Sequence, residues 1–186
     1  LSFSPRLCNH MKNKNIKKLT FSGISLALCI LFPFLTGNDI ALGNALCLMH
    51  IPVLLCGFSC GGAWGAAVGF TAPILRSIIV SRPPLFPTAF AMAFELCVYG
   101  LVVGLLYRRL PKKPVYIYIS LICAMLSGRI VWGAVKYIIM GFGGDAFSLS
   151  IFANAVFVKS VLGIVLQIVL IPPLVLALKR AGLVEP

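Results

Sequence analysis

Acidic residues are nearly missing from this chain: four Asp and Glu stand against sixteen Lys and Arg, a formal net charge of +12. Charge of either sign is scarce, at 11% of 186 residues, whereas 60% are hydrophobic and the mean hydropathy is +1.04. So little charge excludes an ordinary soluble domain and leaves an integral membrane protein. The alternation of apolar and polar residues that marks a membrane β-barrel is missing too; the apolar runs are unbroken, of helix length and interspersed with Gly, so the spans are helices. No GxxxxGK[ST] loop is present, so any ATP-driven step belongs to another chain. Without a GxSxG motif, and with His50 as the one histidine in the apolar region, an intramembrane hydrolase lacks its nucleophile and base. The basic clusters carry no interleaved aromatics and flank apolar spans, which fits anionic lipid and membrane topology rather than nucleic acid.

Cysteine is present but unpaired by pattern. Seven residues (Cys8, Cys29, Cys47, Cys56, Cys60, Cys97 and Cys123) make an odd number, mostly inside apolar spans, which argues against a disulfide framework. Cys56 and Cys60 lie four apart, within reach of a metal shared with His50. Small apolar packing residues are the simpler reading, and no metal or cofactor is expected.

Six apolar spans are read at 19–35, 45–60, 63–80, 87–107, 115–140 and 151–178, with a tight turn at Gly61 and Gly62. The expected fold is an all-α, six-transmembrane-helix bundle in one membrane domain, 19–180. A basic, irregular segment at 1–18 precedes it and a short tail at 181–186 follows. Residues 1–10 precede Met11, which reads as a natural start, and are expected to be an extension without structure. The run KNKNIKK before the first span resembles a signal peptide, but no convincing small-residue cleavage site follows Leu35, so that span is read as uncleaved.

Cation placement tests the count, because cytoplasmic loops collect Lys and Arg. With six crossings and both termini inside, the inner segments hold Arg6, Lys12, Lys14, Lys17, Lys18, Arg108, Arg109, Lys112, Lys113, Lys179 and Arg180, eleven of the sixteen. The outer loops hold Asp39, Arg82 and Asp145. An odd number of crossings would put a basic cluster outside.

The cations left over are informative. Arg76, Arg129, Lys136 and Lys159 all fall in the outer half of apolar spans. Lys159 and Glu95 each enter their span by about 12 Å, and Arg129 lies about 16 Å down, at 1.5 Å per residue. Arg129, Trp132 and Lys136 share one helix face, taken to point inward. Ionised groups at such depth cost a few kcal/mol each and normally face a bundle interior or a wet cavity. Glu95 alone offers a counter-charge, so a local excess of about three positive charges is expected, suited to an anionic solute gripped by Arg. The alternative is that Arg76 and Lys136 snorkel to the outer interface while Glu95 pairs structurally with Arg129 or Lys159. Trp132, Tyr99 one turn after Glu95, Asn154 and Asn44 supply aromatic and amide groups suited to a ligand, and the loop TGNDIALGN at 36–44 is placed to fold over the mouth.

Small residues supply packing. Gly57, Gly61, Gly65 and Gly69 recur every four residues, Gly100 and Gly104 repeat the spacing, and Gly23 with Ala27 forms a further small-xxx-small pair in the first span.

From about Met11 onward the chain resembles the substrate-binding S components of energy-coupling factor (ECF) transporters. The likeness lies in length, six spans, basic cytoplasmic ends and the texture of HIPVLLCGFSCGGAWGAAVGFTAPILRSII and PPLFPTAFAMAFELCVYGLVVGLLYR, which look like the folate, pantothenate and hydroxymethylpyrimidine type. The resemblance implies a multi-pass protein of a prokaryotic plasma membrane that performs no chemistry. It would take up a vitamin or related micronutrient and work with a T subunit and two ATPase subunits. It also implies an outer pocket built from spans four to six and the loop after span one. A first-helix AxxxA motif would pack on the T subunit; here Gly23 stands for the first Ala and Ala27 is the second. Unpaired cations disfavour a cationic vitamin and favour a carboxylate such as pantothenate. A stand-alone secondary transporter of a small organic anion is the alternative, weakened by the absence of a visible repeat between the halves.

Overall fold

The computed structural model describes residues 5–32, 48–81, 83–111, 113–143 and 161–183. These form six α-helices and no strand: α1 Pro5–Leu31, α2 His50–Cys60, α3 Gly62–Val80, α4 Phe90–Arg109, α5 Pro114–Gly143 and α6 Val161–Arg180. A π-helical turn, Leu85–Ala89, leads into α4. Four segments are long and apolar enough to cross a membrane: Gly62–Val80, Leu85–Arg109, Pro114–Ile139 and Gly163–Arg180. His50–Cys60 is a shorter apolar helix. The basic stretch expected to be irregular over 1–18 is helical from Pro5 onward. The physical reason is propagation: once the apolar span has nucleated a helix, each added residue gains a backbone bond, and Lys, Asn and Ile resist this little.

Antiparallel registers tie the helices together. Ser22 Oγ lies 3.5 Å from Cys56 Sγ, Cys29 donates to the Met49 carbonyl at 3.5 Å, and Cys60 donates to the Lys18 carbonyl at 3.7 Å. The two residue numbers in each of these α1–α2 pairs sum to the same value, so the helices lie flat against one another. Cys56 and Cys60 therefore serve the α1 interface rather than His50, and no group of three or more His, Cys, Asp or Glu among the described residues is placed to hold a metal ion.

Between α2 and α3 the chain reverses at Gly61, whose φ of 95° lies in the region open to glycine. The expected small-residue packing is realised between α3 and α4. A methyl group added at Gly100 would strike the Gly65 backbone, one at Gly104 the Gly62 backbone, and one at Gly69 the Leu96 carbonyl. With no Cβ in the way the two backbones approach to direct contact, which replaces the hydrophobic drive that lipid removes. Continuing the α3–α4 register places Arg76 level with Ala89.

The core joins Ile51, Leu54 and Phe58 of α2, Tyr99, Val103 and Tyr107 of α4, Leu121 and Met125 of α5, and Ile171 and Val175 of α6. The outward faces stay apolar, with Ile130, Val169 and Ile78 each about two-thirds exposed (69%, 66% and 67%), as lipid-facing residues would be. The basic residues gather at one end: Cys60 meets Lys18 through its thiol and Arg108 through its carbonyl, at 3.3 Å, while Lys179 and Arg180 close the last turn of α6.

Candidate functional site

Toward the opposite end, three helices bring polar groups together in the apolar interior. Glu95 of α4 is 2% exposed. One turn later on the same helix, Tyr99 donates its hydroxyl to Glu95 Oε1 at 3.0 Å. Arg129 of α5 pairs with the same oxygen, Nε to Oε1 at 3.3 Å. His50, in the first turn of α2, has Nε2 at 4.0 Å from Oε1 and sets its ring 5.3 Å from that of Tyr99, centroid to centroid.

Sequence explains why these groups meet. The i, i+4 spacing of Glu95 and Tyr99 stacks them on one face of α4. Gly128, the neighbour of Arg129, leaves a notch in α5 that the Tyr99 ring fills: a methyl group there would coincide with the ring edge and lie 3.1 Å from the Glu95 carbonyl. Closing α5 onto Tyr99 in this way delivers Arg129 to the Glu95 carboxylate. A buried carboxylate without a partner would be costly, and three contacts on one oxygen offset its desolvation.

Further along α5, Trp132 and Lys136 continue the face that carries Arg129. Lys136 Nζ sits 5.7 Å from the Trp132 ring centroid, in cation–π range. Tyr137 turns away, 61% exposed. Arg76 is half-buried on α3, with a buried Nε that makes no hydrogen bond among the described residues. Lys159, Asn44, Asn154 and the loop at 36–44 lie outside the described residues. Glu95, Tyr99 and Arg129 thus converge, while Trp132, Lys136 and Arg76 lie nearer the helix ends.

Arg129 is the cation that Glu95 takes; beyond that pair, Arg76 and Lys136 are the remaining cations of the expected set among the described residues, and Lys159 lies outside them. The reason is register: α4 and α5 place Arg129 directly against Glu95, and in a low dielectric a carboxylate takes the cation it touches.

Two residues went unrecognised in the sequence. His50, within reach of Cys56 and Cys60 along the chain, faces the Glu95 carboxylate instead. Gln167 of α6 is 1% exposed and its Oε1 has no hydrogen-bond partner among the described residues. A lone amide inside VLGIVLQIVL was the available signal, since a polar side chain so placed faces protein rather than lipid.

Long apolar helices packed in a bundle around a buried polar cluster make this a multi-pass membrane protein. The chain belongs to the substrate-specific components of ECF transporters: the family model described as "ECF transporter, substrate-specific component" matches residues 17–175. Members of that family bind a small-molecule substrate for transport, work with T and ATPase subunits, and are not enzymes. No curated protein and no solved structure matches the chain significantly.

Proposed function

We propose that this chain captures a vitamin or related micronutrient bearing an acidic group, pantothenate-like in character, from outside a prokaryotic plasma membrane. It then delivers the solute with a T subunit and two ATPase subunits. The observation that carries the reading is the Glu95–Arg129–Tyr99 cluster, a charged pair placed inside an apolar bundle, where ionised groups are costly and by default mark a functional site. Arg76 and Lys136 supply positive charge toward the mouth, and Lys159, Asn44 and Asn154 are assigned to the same site by their positions in the sequence. Orientation follows from the basic end formed around Lys18, Arg108 and Arg180, which the positive-inside rule puts in the cytoplasm.

Gly23 and Ala27 are assigned to the T-subunit contact. Both are exposed, a methyl group at Gly23 would meet nothing within 4 Å, and Leu19, Ile24 and Leu31 around them are 55–60% exposed. Small residues in such a face let a partner helix approach closely.

Uptake of labelled pantothenate, folate and pyridoxine by cells expressing the chain with or without the T and ATPase subunits tests this role. Uptake of one of them that disappears with the ATPases supports it. Uptake that persists without them refutes it in favour of a stand-alone carrier.

A further inference from the structure

The charges at the buried cluster balance before any solute arrives. Glu95 and Arg129 meet at 3.3 Å, one negative and one positive, and Tyr99 donates to the same oxygen at 3.0 Å. An acidic solute that joins them brings a negative charge with no opposite to meet, because the cation beside it is already engaged. An unmatched charge in a low dielectric is costly, so a site that takes an anion here needs a positive charge that appears together with the solute.

His50 is placed to supply it. The residue is 3% exposed, in the first turn of α2, with Nε2 at 4.0 Å from Glu95 Oε1 and its ring 5.3 Å from that of Tyr99. Tyr99 already holds that oxygen at hydrogen-bond distance, whereas 4.0 Å is ion-pair range for a protonated ring. A protonated ring there would feel the carboxylate and the guanidinium on the same oxygen, attraction and repulsion that largely offset each other. With no net partner an ionised ring in an apolar interior is costly, so the ring is neutral until an anion supplies the partner. Histidine is the side chain whose ordinary titration falls between about pH 5 and 8, so this change lies within reach of physiological pH.

The other elements packed around α2 place their titratable and charged groups elsewhere. Cys56 and Cys60 of α2 itself face α1, where Cys29 bonds to the carbonyl of Met49. Gly65 of α3 packs on Gly57, a register that puts His50 level with Ala72 and leaves Arg76 one turn farther out. Lys136 of α5 is seven residues beyond Arg129, about 10 Å along the helix. α6 buries the amide of Gln167, which does not titrate.

We infer that His50 takes up a proton from the solvent as an acidic solute binds, so one anion and one proton enter the site together. Glu95 and Arg129 sum to zero in the solute-free cluster, and Glu95, Arg129, protonated His50 and the anion sum to zero in the loaded one. Because the loaded state holds one more proton, affinity for the acid rises as pH falls. This rests on the substrate-capture reading above and adds a proton to the cargo.

The test is native mass spectrometry of the purified full chain at about pH 6 and about pH 7.5, either side of the ordinary histidine range, against an equimolar mixture of pantothenate, folate, biotin, nicotinate, lipoate and pyridoxine. The carboxylates in the mixture are ionised at both values, so a change in affinity reports the protein. The captured acid should bind about tenfold more tightly at the lower pH, and His50→Gln, which keeps a polar amide but cannot take the proton, should bind it equally at both. Calorimetry of the wild-type chain with that acid, in phosphate and in Tris, whose ionisation heats differ, should give about one proton taken up per acid bound. Should His50→Gln fail to bind, this proton count decides: about one supports the inference and none refutes it. Equal affinity at the two pH values, a pH dependence that survives in His50→Gln, or capture of pyridoxine alone overturns the inference and leaves substrate capture standing. Capture of none of the six at either pH overturns both.

Discussion

Two glycine-to-alanine substitutions should act in opposite directions, and the sign of each follows from what an added methyl group meets. At Gly23, on the exposed face of α1, nothing lies within 4 Å of that methyl. Removing the backbone freedom of glycine from a helix then stabilises by up to about 1 kcal/mol. At Gly128 the same methyl would overlap the Tyr99 ring edge, and that ring cannot retreat without breaking its 3.0 Å bond to Glu95. Overpacking of this kind costs about 1–3 kcal/mol, and a lost hydrogen bond to a charged group about 1.5–3 kcal/mol. Net of the helix gain, Gly128→Ala should destabilise by about 2–4 kcal/mol. Thermal or denaturant unfolding of the two variants in the same detergent measures the contrast. A smaller Tyr99→Leu side chain should recover the overpacking part in the double variant, giving a coupling well above additivity. If Gly128→Ala unfolds like wild type, or if Tyr99→Leu does not soften it, the notch is not filled by that ring and the delivery of Arg129 to Glu95 needs another explanation.

Arg129→Met should abolish vitamin binding while the protein still inserts, because removing a cation lowers the insertion cost, but it leaves Glu95 buried without its partner and should cost about 3–5 kcal/mol of stability. Adding Glu95→Gln should recover most of that loss without restoring binding, a separation that unfolding and native mass spectrometry read independently. Ala27→Leu, on the exposed face of α1, should leave unfolding and vitamin capture unchanged and abolish co-purification with the T subunit; retained co-purification would move the contact elsewhere.

Helices were the most legible feature of the sequence, because apolar runs of this length in lipid have few other ways to satisfy their backbone. The turn at Gly61 and the close seam at Gly65, Gly69, Gly100 and Gly104 were legible for a related reason: backbone contact demands the absence of side chains at regular spacing. That Arg129, Trp132 and Lys136 share one face of α5 followed from helical periodicity. The fate of Glu95 did not. Spacing within α4 and α5 showed how deep Glu95 and Arg129 lie but not which of the deep cations would reach it, since that depends on the rotation and offset of α5 against α4. The setting of His50 is hidden for the same reason, since its proximity to Cys56 along α2 gives no sign that the two point to different neighbours, α4 and α1.

The sequence by itself therefore determined what is local or summed: the solvent, the helices, the even spacing of small residues and the bias of charge toward one end. Only the tertiary structure decided that Oε1 of Glu95 is held by Tyr99 and Arg129 and that Gln167 Oε1 has no donor among the described residues. Pairing of this kind turns on distances of a few ångströms between residues far apart in the chain, and periodicity along a single helix carries no information about the neighbour it will meet.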